Sequence, residues 1–108
     1  MALQTAVLQG GLALGTSAAP LYAVPSGKSA WVKRAVFTNT TGAAVTLTVS
    51  VTRGTGTPLM IVSVQPIPAN GTYVSPELSS LALASGDAIS ASCSAAGAVN
   101  AFVSGLTA

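Results

Sequence analysis

Residues 44–52 alternate without a break, with Val45, Leu47, Val49 and Val51 on one parity and Ala44, Thr46, Thr48, Ser50 and Thr52 on the other. Successive side chains of an extended chain point to opposite faces, whereas a helix would need apolar residues three and four apart. The segment is therefore a half-buried β-strand, apolar toward a core and hydroxyl-bearing on its other side.

The same grammar of short extended runs and turn residues covers most of the chain. Residues 3–9, 21–24, 29–39, 59–64, 72–75, 88–94 and 99–106 read as further strands. Between them stand Pro25-Ser26-Gly27, the run from Asn39 to Gly42, Pro58, Asn70-Gly71, Pro76 and Gly86-Asp87, all of which favour turns. Residues 78–84 are either a helical turn or an extended connection. In residues 29–39, Ala30, Val32, Arg34, Val36 and Thr38 share one parity, and Trp31, Lys33, Ala35 and Phe37 share the other. Bulky apolar groups on both parities predict a strand covered on both sides. The short turn after Asn39 predicts that this strand and residues 44–52 form a central hairpin. The expected fold is all-β, an antiparallel β-sandwich or jelly-roll-like barrel of seven to eight short strands. It is expected as one domain over residues 1–108, with residues 1–19 as either an extended N-terminal arm or a first strand.

Chemistry is limited by what the chain contains. It has no histidine, one aspartate, one glutamate, four Lys or Arg and one cysteine, and only 6% of its residues are charged, against roughly 25% in an average domain. The four cations, Lys28, Lys33, Arg34 and Arg53, are too few for a nucleic-acid footprint of roughly six or more phosphate contacts. A lone Cys93 without histidine supplies neither a disulfide nor a zinc ligand set, and its expected role is a small buried thiol. No metal or cofactor is expected. No apolar run approaches the roughly 18 residues of a membrane span, and the amino terminus, lacking Lys or Arg up to Pro20, fits a secretory signal poorly.

Individual motifs have plain structural readings. Ser26-Gly27-Lys28-Ser29 has the end of a phosphate-binding loop but Tyr22 where that loop needs a glycine, and a strand follows where a helix is required. Asp87 and Glu77 would have to share a cleft to act as an acid/base pair; Asp87 is instead placed to bond turn amides at a strand entrance. Abundant Ser and Thr hydroxyls have no histidine to activate them. Asn39-Thr40-Thr41 and Asn70-Gly71-Thr72 match the glycosylation acceptor pattern yet read as turns. The expectation is a protein without enzymatic activity. Trp31, Phe37, Tyr22 and Tyr73 could line a sugar-binding face, which makes a carbohydrate-binding module, with Trp31 or Tyr73 as stacking platform, the alternative from another class.

Four stretches taken together carry a resemblance. They are Leu21-Tyr22-Ala23-Val24-Pro25-Ser26-Gly27-Lys28-Ser29-Ala30, Phe37-Thr38-Asn39-Thr40-Thr41-Gly42, Leu83-Ala84-Ser85-Gly86-Asp87-Ala88-Ile89 and Val99-Asn100-Ala101-Phe102-Val103-Ser104-Gly105. Over residues 20–106 this order resembles small β-sandwich virion proteins of tailed bacteriophages: capsid decoration or cement proteins, minor capsid proteins, head fibres and tail components. The resemblance implies a homo-oligomeric, non-enzymatic structural role in the virion, made in the host cytoplasm. The expected partners are further copies, as a homodimer or homotrimer, and the major capsid protein or other virion proteins, with no nucleic acid and no membrane. A decoration or minor capsid role is preferred, with a tail or head-fibre role as alternative. The expected contact surface is the Thr46, Thr48 and Ser50 face together with Trp31 and Phe37, and strands without charge are expected to leave pairing-competent edges.

Overall fold

The computed structural model describes residues 4–76, 78, 79 and 81–108. Among these are nine strands, all antiparallel: β1 (Gln4–Ala13), β2 (Ala19–Ala23), β3 (Ala30–Asn39), β4 (Val45–Thr52), β5 (Leu59–Ile67), β6 (Thr72–Val74), β7 (Leu81–Leu83), β8 (Ala88–Cys93) and β9 (Val99–Thr107). They form two packed sheets. The first has the order β1-β9-β3-β6, with β7 pairing β3 beside β6, and the second has the order β2-β8-β4-β5. The strand count exceeds the expected seven to eight because β6 and β7 are two halves of one position against β3. Counted that way, first pairs with last, second with second-last, and so inward to β4–β5. The chain is one long antiparallel ribbon rolled up, which is the jelly roll.

The expected central hairpin between residues 29–39 and 44–52 is not formed. β3 lies in the first sheet and β4 in the second, and residues 40–44 carry the chain across between them. The buried Asn39 holds this crossing. Its side-chain Nδ2 donates to the carbonyls of Ala43, Ile67 and Pro68, and its Oδ1 accepts from the Thr41 amide and hydroxyl. One amide thus ties the β3–β4 crossing to the β5–β6 crossing. Among the described residues, β4 and β5 are the only strands adjacent in both sequence and sheet.

The core fills the space between the sheets. Residues 45–52 bury their alternate positions as the pattern predicts, with Leu47 and Val49 fully enclosed in the same core cluster as Phe37, Ile67, Ile89 and Val103. Cys93 is buried, and its thiol points at the Ala95 carbonyl 2.9 Å away.

β3 departs from simple alternation. Val32 pairs with Gly105 but Arg34 pairs with Ser104, so Lys33 is an extra residue and the strand bulges there. The bulge reverses parity. Ala30 and Val32 before it and Ala35, Phe37 and Asn39 after it all face the core, while Trp31, Lys33 and Arg34 are all exposed. The two adjacent cations therefore do not fall on opposite faces, and Trp31 and Phe37 do not share one. Gly105 makes room for this geometry, because a Cβ there would collide with the Trp31 carbonyl oxygen.

Candidate interaction surface

Both sheets have an outer face; the second carries hydroxyls on β4 and β8 and exposes Met60, opposite Ser50, and Val64 on its edge strand β5, and the first is apolar and cationic. On the second sheet the outward positions of β4 and β8 bear hydroxyls, paired across the strands as Thr48 with Ser92 and Ser50 with Ser90, and the Thr46 amide donates to Ser94 Oγ. Short neutral polar side chains on alternate positions are what the alternation of residues 44–52 predicts. The expected contact residues Thr46, Thr48 and Ser50 all lie on this face, half-buried by their neighbours.

The outer face of the first sheet is apolar and cationic. Val74, Val36 and Phe102 lie in register across β6, β3 and β9, and the next row is Arg34, Ser104 and Val7 across β3, β9 and β1. Beyond it Trp31 pairs with Leu106 and Ala82. Val7 is 77% exposed, and Trp31, Val74 and Phe102 each remain close to half exposed. Two concave areas divide this face. One, of about 230 Å³, lies among Val7, Gln9, Arg34, Val36, Phe102 and Ser104, and the other, of about 200 Å³, lies beside Trp31, Ala82 and Leu106. Phe102 lies against β1 at Gly11, where even a Cβ would come within 3.0 Å of the ring.

The five expected contact residues consequently fall in three places. Thr46, Thr48 and Ser50 are on the hydroxyl face, Trp31 is on the opposite, apolar face, and Phe37 is in the core with no exposed surface. Phe37 is therefore corrected from contact residue to core residue, and the bulge at Lys33 is the reason. The aromatic side chains do not gather into one sugar-stacking platform either, since Tyr22 and Tyr73 pack against the core while Trp31 points outward. Val7, Val36, Val74, Phe102 and Arg34 were missing from the expected surface. Phe102 did carry a signal, because its parity in β9 is opposite to that of Val99, Ala101 and Val103.

The sheet edges are blunted rather than open. The edge strand β1 has register breaks at Leu8 and again across Gly10-Gly11, and β2 has one at Leu21 beside Pro20. β5 is bulged twice, at Ile61 and at Ser63-Val64, and contains Pro66; β6 and β7 are three residues each with Pro76 between them. Bulges, prolines and short strands all oppose strand addition. The expectation of pairing-competent edges, drawn from missing charge alone, is corrected by this geometry.

Asp87 sits where the sequence predicts, at the entrance to β8. Its carboxylate accepts from the Ala84 amide at 2.9 Å, from Arg53 Nη1 at 2.7 Å and from the Gly54 amide at 3.1 Å. The Ala84 amide, followed by the Arg53 bond, holds its carboxyl below the usual carboxylate range against the opposing effect of burial. The group is a structural clasp for the β4–β5 loop. Glu77 lies outside the described residues. Among the described residues no three His, Cys, Asp or Glu side chains come together as a metal site would need.

No protein-family model and no curated protein matches this chain.

Proposed function

We propose that the chain is a non-enzymatic structural protein of a bacteriophage virion, a capsid decoration or minor capsid protein that reinforces the shell by spreading buried contact area across joints between shell subunits. The observation that carries this reading is the outer face of the first sheet. A domain that already fills its own core still presents Val7, Trp31, Val74 and Phe102 to the outside, and exposed apolar groups of this kind mark surfaces that a partner covers. The low charge adds support, since little on the surface would have to be stripped of water on docking. Blunted edges favour face-to-face contact over strand exchange.

The test is mass spectrometry of purified particles of the phage that encodes the chain, with copy number per virion. Copies in the hundreds support a shell protein. A small number in multiples of three or six supports the tail or head-fibre role instead, and absence from the particle overturns the proposal.

A further inference from the structure

The outer face of the first sheet has a charge pattern that specifies what can cover it. The bulge at Lys33 turns both Lys33 and Arg34 to the exposed side of β3, where an unbulged strand would have hidden one of them. Arg34 then lines the groove with Val7, Val36 and Phe102, and the Ser104 hydroxyl and Gln9 lie along the same groove. Among the described residues neither cation has an ion pair: the one bridge is Arg53 to Asp87, and that carboxylate is already held by two amides. None of the described side chains lining this face is a carboxylate.

We infer that the groove around Arg34 and Phe102 is the docking site for a segment of a different protein that presents a carboxylate beside an apolar side chain. The guanidinium is a planar fork matched to carboxylate geometry, and its pairing strengthens where apolar neighbours exclude water. A second copy of the chain is the poorer occupant. Two copies joined through this face would bring Lys33 and Arg34 of each toward the same cations of the other, with no described carboxylate side chain on the face to offset them. The concavity is shallow and open, about 230 Å³, so one apolar side chain beside one carboxylate is enough to occupy it. This inference rests on the virion reading for the identity of the partner but not for its chemistry.

Two experiments separate those dependencies. In the first, amide NMR follows the wild-type protein with a blocked pentapeptide alternating Leu and Asp, and with the same peptide carrying Asn or Lys for Asp. The Asp peptide is expected to shift Arg34, Val36, Phe102 and Ser104, to bind about tenfold more tightly than the Asn peptide, and to lose about tenfold in Arg34→Gln. Added salt weakens it. Equal binding of the Asp and Asn peptides, shifts centred on Thr48 and Ser92, or no shift up to roughly 10 mM would overturn the inference. In the second, wild type, Arg34→Glu and Thr48→Asp are added to particles assembled without the protein. Loss of binding in Arg34→Glu with retention in Thr48→Asp is the expected result. If wild type binds and Arg34→Glu binds equally, the docking site is wrong and the virion reading stands; if wild type binds no particle, the virion reading falls and the peptide result decides the site.

Discussion

Arg53 Nη1 and Asp87 Oδ2 are 2.7 Å apart, joining the loop after β4 to the entrance of β8. The pair is lopsided. Arg53 is 55% exposed while Asp87 is almost enclosed, so the carboxylate relies on its neighbours far more than the guanidinium does. Because folding lowers the carboxyl's pKa, the ionised form favours the folded state. That stability is present above the ordinary carboxylate pKa and is lost as pH falls below about 4, toward the depressed value. With no histidine and only two carboxylate side chains in the chain, the melting temperature should be nearly flat from about pH 5 to 8 and should fall in acid. Asp87→Asn should melt lower at neutral pH and show a flatter acid limb, whereas Arg53→Met should lose less because both amides still bond the carboxylate. Thermal melts across pH check this. An Asp87→Asn protein with the wild-type acid slope would remove Asp87 from the role assigned to it.

Asn39 is the buried link between the two sheet crossings, and its amide donates to three carbonyls. Asn39→Ala should destabilise by about 2–4 kcal/mol, since it strands buried acceptors as well as removing bonds. Asn39→Asp should be at least as damaging, because a carboxylate would face those same carbonyls. Denaturant unfolding of both variants measures the cost.

Gly105 packs against the Trp31 carbonyl at the bulge. Gly105→Ala should therefore cost about 3 kcal/mol or more, well beyond an ordinary glycine replacement in a strand. If the loss is small, the β3–β9 pairing around Lys33 has a different register, which chemical shifts of the Val32 and Arg34 amides would reveal.

Val64 adopts a φ of 49° in the bulge of β5, a left-handed backbone that a β-branched residue tolerates poorly, and its side chain is 58% exposed. Val64→Gly should relieve that strain with little packing lost and stabilise the fold by about 1 kcal/mol. A lower melting temperature would show that Val64 contributes contacts which outweigh its strain.

Val49 and Thr48 distinguish folding from surface chemistry. Val49 is fully buried, so Val49→Asp should destabilise by about 4 kcal/mol or more as an uncompensated buried charge. Thr48→Asp should stay close to native, since the Thr48 hydroxyl only accepts a long 3.4 Å bond from the Val64 amide and an aspartate oxygen can replace it. Melting curves of the two variants test the assignment of faces in β4.

These residues also show where sequence reading succeeds and where it stops. Strand parity in residues 44–52 and the turn role of Asp87 were legible because each depends on neighbours in the chain. The parity of residues 29–39 was not, because an extra residue at Lys33 is a relation between β3 and Gly105 in β9, far away in sequence. Asn39 to Gly42 carries the same turn residues whether the chain doubles back into a hairpin or crosses to another sheet. The length of β5, running on through Pro66 to Ile67, follows from its place at an edge, where a missing amide hydrogen need not break a ladder. The hydroxyl face could be read from one strand, but the apolar face is assembled from β1, β3, β6 and β9 and exists only after folding.

The rolled ribbon imposes an order on folding. β4 and β5 can pair as soon as the loop between them closes, but each pairing outward from them, β3 with β6 and β7, then β2 with β8, then β1 with β9, joins segments farther apart in the chain. The last of these sets Gln4 beside Thr107. The loop entropy to be overcome therefore grows from the tip of the ribbon to its ends, which makes this a slow folder among domains of its size. While the chain is being synthesised, β1 waits unpaired until β9 has emerged, so the first sheet closes only after translation has delivered nearly the whole domain.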